Sequence, residues 1–383
     1  MNDCDVWVRG SGAVGLTAAL ALAGQGLQVA LQAVAPAQGP AQGHAQGIAP
    51  DLRAYALNAA SVRLLSSLRV WDALPADART AVHDMHIEGD LAGAALDFSA
   101  WSQGLAELAW IVDAAELEQA LRTAARFAPH LTLLADGQAA PDAPLQVLAE
   151  GRASAAREAL GVTMQRHSYG QTAIAARLCS DQPHVGLARQ WFRSPDVLAL
   201  LPLDRPQPGL GYGLVWSLPD TRAAELLALA DAQFNAALMD ATAAAAGNLA
   251  LCSERASWPL SLAQASAVHG PGWVLVGDAA HVVHPLAGQG LNLGLADVTA
   301  LVQVLAERAR LEPWRALGDP RLLARYARQR AAPTRAMALV TDGLQQLFAH
   351  PQPVVRELRN RGLSLLNQLT PLKRMLVARA LDS

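Results

Sequence analysis

Lysine is almost missing from this chain: Lys373 stands alone among arginines. The formal net charge is only -3 at pH 7 over 383 residues, so no field of one sign invites a nucleic acid. The arginine bias reads as genome composition. Cysteine is scarce as well. Cys4, Cys179 and Cys252 are far apart and show no metal-ligand spacing, which suits a reducing compartment better than a disulfide framework. No stretch holds the ~18 unbroken apolar residues of a membrane span, and the opening Met-Asn-Asp-Cys-Asp lacks the basic and apolar regions of a signal peptide. A cytoplasmic protein is the expectation. What the chain does have is 52% hydrophobic against 16% charged residues, enough to build cores in two or three domains.

Val6 to Val8 reads as a short buried strand, residues 13–23 as a helix ending at Gly24 or Gly26, and Leu27 to Leu31 as a second strand: a β-α-β unit. Residues 36–50 repeat Ala-Gln-Gly three times and read as a flexible loop. Helical patterns follow over 53–69 and 113–127, and 131–150 has room for two strands and a loop at roughly five residues a strand. Residues 162–217 are strand-like, 221–247 an Ala/Leu-rich helix, and Trp273 to Val276 a buried strand. Leu291, Leu295, Val298, Val302 and Leu305 then recur at helical spacing, and the chain from 320 onward is mostly helical.

Two glycine-rich stretches sit where a strand hands over to a helix. In the first, Gly10, Gly12 and Gly15 form G-x-G-x-x-G, with Ala13 and Val14 opening the helix. Gly10 permits the tight turn, Gly12 lets a pyrophosphate approach the backbone, and Gly15 lets helix and strand pack closely. An acidic residue about 20 positions on would bind ribose hydroxyls; Gln32 stands there, able to hydrogen-bond but uncharged. The second stretch, GDAAHVVHPLAGQGLNLGL over 277–295, follows a strand with Gly277 and Asp278 and enters a helix near Gly288. Asp278 can accept from sugar hydroxyls, and the helix start offers N–H groups and a positive dipole end to an electron-rich ring. A metal reading with Asp278, His281 and His284 as ligands lacks a second carboxylate or cysteine to complete the shell. His83 and His86, similarly spaced, read as surface residues.

Gly277-Asp278-Ala279-Ala280-His281, then His284-Pro285, Gly288-Gln289-Gly290-Leu291-Asn292 and Asp297, resembles the second FAD motif of the flavin-dependent aromatic hydroxylases, specifically the ubiquinone-biosynthesis hydroxylases with their p-hydroxybenzoate hydroxylase-like fold. Asp51-x-Arg53-x-x-Ala56-Leu57 with Ser61, Tyr169-Gly170-Gln171-Thr172-Ala173, Pro183-His184, Val215-Trp216-Ser217 and Pro371-Leu372-Lys373-Arg374 extend the resemblance over nearly the whole chain. It implies that Gly10, Gly12 and Gly15 hold the pyrophosphate and that Arg53 approaches the FAD. Asp278 would bind the ribityl chain, and Pro285 with Gly288 to Asn292 would line the ring, the amides near Gly290 and Leu291 stabilising negative charge on the reduced flavin. It also implies NAD(P)H and O2 as co-substrates and a polyprenylated phenol as substrate. With one G-x-G-x-x-G present, no separate nicotinamide domain is expected. Trp191, Phe192, Leu198, Leu200 and Trp216 are the candidates to line the substrate cavity, and no side chain is nominated as a catalytic acid or base.

The sequence departs from the family pattern in places. Arg9 ends the first strand where the family has an aliphatic residue, and a charge there needs a partner, a phosphate being one candidate. Gln32 replaces the ribose carboxylate, Glu150 replaces Asp in the A-D-G-x-x-S-x-x-R-like run 149–157, and Ala114-Ala115 replace an Asn-Arg pair. The segment 131–150 is also too short for the family's longer meander. These departures keep a second reading open, a non-enzymatic accessory subunit of a ubiquinone-biosynthesis assembly with a weakened FAD site. The segment 356–379 carries Arg356, Arg359, Arg361, Lys373, Arg374 and Arg379 against Glu357, and reads as a closing helix or as peripheral contact with an anionic inner membrane. The expected architecture is α/β: a Rossmann-like FAD-binding domain (1–75, 100–161 and 255–310) interleaved with a smaller α+β substrate domain on a mixed sheet (76–99 and 162–254), then C-terminal helices (311–383).

Overall fold

The computed structural model describes residues 4–33, 51–91, 93–135, 138–283 and 289–349, together with 357, 359, 361 and 367. The Ala-Gln-Gly repeat, Pro285, Gly288 and nearly all of the basic C-terminal segment lie outside the described residues.

In chain order, β1 (Val6–Arg9), α1 (Ala13–Ala23) and β2 (Val29–Gln32) open the fold, followed by β3 (Ala54–Leu57), α2 (Ala59–Ser67), β4 (Arg79–Val82), β5 (Asp84–Glu88) and β6 (Ala95–Ser99). Next come α3 (Ala100–Gln103), β7 (Ala109–Asp113), α4 (Ala114–Phe127), β8 (Leu131–Leu134), β9 (Leu145–Leu148) and α5 (Ala155–Ala159). The middle holds β10 (Met164–Ser180), β11 (Leu187–Arg193), β12 (Asp196–Leu203), β13 (Gly211–Pro219), α6 (Asp220–Ala228), α7 (Asp231–Thr242), β14 (Leu249–Leu251) and β15 (Ala256–Ala265). Last are β16 (His269–Gly270), β17 (Trp273–Leu275), β18 (His281–Val282), α8 (Gln289–Leu311) and α9 (Pro320–Ala349).

Among the described residues the strands form three sheets. The first runs β16-β17-β9-β1-β2-β8, with parallel pairing from β17 through β8. Its α1 is apolar all round because it is enclosed all round, packed against the sheet, α4 and α8. The second sheet runs β18-β15-β10-β13-β12-β11-β5-β6, antiparallel except where β11 pairs parallel with β5. The third is small, β3-β7-β4, and Ala54, Ala56 and Ile111 on it pack against Leu201, Leu203 and Val215 of the second. The architecture is thus the expected one, a Rossmann-like unit interleaved with a mixed-sheet α+β unit.

The differences are local. Residues 54–57 form a strand, not the first turn of a helix, because they pair with β7; the helix starts only where Asn58 accepts from the Ser61 amide. The 221–247 helix is two, α6 and α7, broken where Leu229 and Ala230 turn extended. Two expected boundaries are crossed: β4 joins β3 and β7, and β15 joins β10. Cys179 and Cys252 form a disulfide with an S–S length of 2.06 Å, against the expectation of free thiols. The antiparallel pairing of β10 with β14 brings together two residues separated by 73 in sequence, while Cys4 is buried and forms no disulfide among the described residues.

Candidate functional site

The two glycine-rich stretches meet at Val14. A Cβ added to Gly277 would lie 3.2 Å from the Val14 Cγ1, and one added to Gly294 would lie 2.7 Å from its Cγ2. Only glycine lets the Gly277–Asp278 turn and α8 close on the start of α1. In the first stretch, Gly10 has φ +111°, and a Cβ on Gly15 would sit 1.9 Å from the Gly10 carbonyl oxygen, so both are demanded by backbone packing. Gly12 is different, since a Cβ there would meet nothing within 4 Å. It caps α1 with no side-chain hydrogen bond, so the first helical amides, beginning with Ala13, have no capping side chain. Gln32 ends β2 beside them, its carbonyl accepting from the Gly10 amide at 3.0 Å.

Asp278 is 42% exposed, its Oδ2 lying 3.4 Å from the Arg152 Nε, which leaves the carboxylate available to a ligand. Gly277 has φ +61°, and its amide donates to the Asp297 Oδ2 at 2.9 Å. Gly290 is partly buried and Leu291 buried at the start of α8; the side chain of Gln289 lies outside the described residues. Asn292 is nearly fully buried. Its Nδ2 donates to the Ala56 carbonyl at 2.7 Å, and its Oδ1 accepts from the Asn58 amide at 3.1 Å and the Ser61 Oγ at 2.8 Å. It thereby ties α8 to the segment that carries Arg53. The Arg53 guanidinium is held by Asp51, Nε at 2.9 Å from Oδ1, yet its side chain is 47% exposed and can still meet a cofactor. Burial raises the Asp51 pKa, but hydrogen bonding and charge from Arg53 outweigh it and leave the carboxyl below its ordinary value.

Two departures from the family pattern satisfy each other. Arg9 Nε lies 2.8 Å from the Glu150 Oε1, and Glu150 is almost fully buried. The other carboxylate oxygen of Glu150 accepts from the Ser154 Oγ at 2.7 Å and the Ala156 amide at 3.0 Å, so the pair anchors the start of α5 on the end of β1. Ala114 and Ala115 begin α4, whose cap is Asp113, and Asp113 also receives the Arg177 guanidinium at 2.7 Å. Sequence reasoning did not nominate Arg177, Arg152 or Arg330, since each acts on a partner more than 30 positions away or across sheets.

Of the five nominated cavity residues, Trp191, Leu198, Leu200 and Trp216 pack with Phe234 and Leu238 of α7, in the core between the second sheet and its helices. Strand alternation sends them to that side, opposite Leu201 and Val215, which face the third sheet. Phe192 packs with Val197 and Ile87. The apolar character of the four is thus used for packing rather than for lining a cavity. His83 is exposed, and His86 is half-buried against Asp97.

These features fit FAD: a side-chain-free helix start at Gly12 and an accessible carboxylate on a turn braced by α8. The family described as FAD binding domain matches residues 103–341. The ubiquinone hydroxylase UbiL of Rhodospirillum rubrum is 33% identical over 99% of this chain and 90% of its own length. The 3-demethoxyubiquinol 3-hydroxylase of Escherichia coli is 31% identical over 98% of each chain. In fold, the chain superposes on the p-nitrophenol 4-monooxygenase PnpA of Pseudomonas putida with a TM-score of 0.75 at 16% identity, covering 98% of this chain and 96% of that one. The chain belongs to the FAD-dependent aromatic hydroxylases, in the group that contains the ubiquinone-biosynthesis hydroxylases.

Proposed function

We propose that this protein hydroxylates the aromatic ring of a polyprenylated phenol in ubiquinone biosynthesis, using FAD, NAD(P)H and O2. The observation that carries the reading is the side-chain-free start of α1 at Gly12, packed through Val14 against a turn that presents an accessible Asp278. Bound flavin supplies the redox chemistry, taking electrons from the nicotinamide and activating oxygen for transfer of one atom to the ring.

The protein's part is to bind and orient. The amides at the start of α1 hold the pyrophosphate and Asp278 accepts from the ribityl hydroxyls. The N-terminal amides of α8 near Gly290 and Leu291 would stabilise negative charge on the reduced ring. Arg53, just before β3 and exposed over almost half its side chain, would contact the cofactor. The Arg9–Glu150 pair favours this enzymatic reading over an accessory subunit, because two of the departures that weaken the cofactor site compensate each other. No helix among the described residues is long and apolar enough to cross a membrane, and a lipid-tailed phenol would be met by peripheral contact with the membrane or within a biosynthetic assembly.

Purified protein reconstituted with FAD is expected to be yellow, to bleach on addition of NADPH or NADH without oxygen, and to recolour on aeration. A strain lacking the gene is expected to accumulate the unhydroxylated polyprenyl phenol, identified by mass spectrometry. A colourless protein that cannot be reconstituted, with a normal quinone profile in that strain, would overturn the proposal.

A further inference from the structure

We propose that Asp297 is a positioning residue for the flavin-binding turn, and that through Arg330 it makes the grip on FAD depend on the docking of α9. Asp297 sits on α8 with no exposed surface, and it holds three elements at once. Its Oδ2 accepts from the Gly277 amide at 2.9 Å and lies 2.7 Å from the His281 Nε2; its Oδ1 accepts from the Arg330 Nε at 2.7 Å. Gly277 and His281 bracket Asp278, so one carboxylate clamps both sides of the residue read as the ribityl ligand.

Arg330 comes from α9, far along the chain, and its other nitrogen donates to the Leu293 carbonyl at 3.3 Å. One turn earlier on α9, the buried Tyr326 hydroxyl donates to the Leu275 carbonyl at 2.8 Å, at the end of the strand that enters the turn. Two α9 side chains therefore reach the segment 275–281, one directly and one through Asp297. A buried carboxylate needs its cations, and with Arg330 withdrawn Asp297 keeps only His281. The turn then loses the fixed acceptor that holds the Gly277 amide at positive φ. Burial and the neighbouring charges agree with a tight cluster: burial would push Asp297 up, but His281 and Arg330 outweigh it and hold the carboxyl below its ordinary range.

The inference rests on the reading of Asp278 as an FAD ligand, and the test separates the two. FAD affinity is measured by flavin-fluorescence titration of apoprotein for Arg330→Met, Arg330→Lys, Asp297→Asn, Asp278→Ala and the double variant Arg330→Met/Asp278→Ala, with circular dichroism as a check of fold. Arg330→Met and Asp297→Asn are expected to weaken FAD binding about tenfold or more, and Arg330→Lys to recover part of the loss. In the Asp278→Ala background Arg330→Met is expected to add little, because both act through the same turn. Hydrogen exchange at the Gly277 amide of Arg330→Lys, faster than in the parent, provides the same information should the methionine variant not fold. Unchanged affinity in Arg330→Met, or a loss that simply adds to that of Asp278→Ala, overturns the positioning role alone. Full retention of FAD by Asp278→Ala overturns the ligand reading and the inference with it.

Discussion

Gly12 and Gly15 lie three residues apart and fail in different ways when substituted. A methyl on Gly15 would collide with the Gly10 carbonyl at 1.9 Å, so Gly15→Ala is expected to cost more than about 3 kcal/mol and to lower the melting temperature of the FAD-free protein. A methyl on Gly12 meets nothing within 4 Å, so Gly12→Ala should leave that melting temperature unchanged while weakening FAD roughly tenfold, about 1.4 kcal/mol, by occupying the pyrophosphate's space. Calorimetry of the apoprotein and flavin titration check the contrast; a stability loss at Gly12 equal to that at Gly15 would contradict it. The packing role of Gly15 is legible from spacing alone. The role of Arg9 is not, because nothing near it in sequence says that its counter-ion is Glu150 rather than a phosphate.

At the start of β12 a single carboxyl sets a pH dependence of its own. Burial pushes the Asp196 pKa up to about 6, against the opposing pull of Arg222 and the Trp216 indole. A raised carboxyl means that the folded state holds its proton longer than the unfolded chain. The associated stability is therefore complete below the ordinary value of 3.8 and is lost as pH rises through about 6. Asp196→Asn keeps the shape without the charge and is expected to stabilise the protein at pH 7.5 by about 2 kcal/mol, a few degrees in melting temperature, with almost no effect at pH 4. An equal shift at both pH values would show that the charge is not the cause. At this scale the strand character of 162–217, the buried α1 and the strand entering the Gly277 turn are readable from pattern, whereas the full 17-residue length of β10 is not. The strand at 54–57 is not, because only its pairing with β7 decides against helix.

Across the whole molecule, α8 packs on β3 and α9 on β16, and the group that reports their closure is His281. The charged groups around it are Asp297 and Arg330 from α8 and α9, Asp278 on its own turn, and Arg166, His167 and Arg335 across an adjoining cavity of about 210 Å³. Burial lowers the His281 pKa, but Asp297 outweighs it and the net shift is upward. The stability this lends is present below the ordinary histidine value of 6.5 and is lost as pH rises through the higher folded value. The melting temperature of the apoprotein is thus expected to fall on the alkaline side, less steeply in His281→Asn, as scanning calorimetry over pH 6 to 9 would read. A parallel fall in both proteins would remove His281 as the cause.

What the residue order determined unaided are the places where the backbone itself makes the demand: glycines at tight turns, a helix start with no capping side chain, a short apolar run that marks a buried strand. Such requirements are local and are met within a few residues. The tertiary structure alone decided the partners: Glu150 for Arg9, Arg330 for Asp297, Cys252 for Cys179, and the helices of the second sheet for Trp191 and Trp216. A buried charge or a large apolar side chain states that it needs a neighbour, but which neighbour depends on chain segments tens or hundreds of residues away, and only packing brings those together.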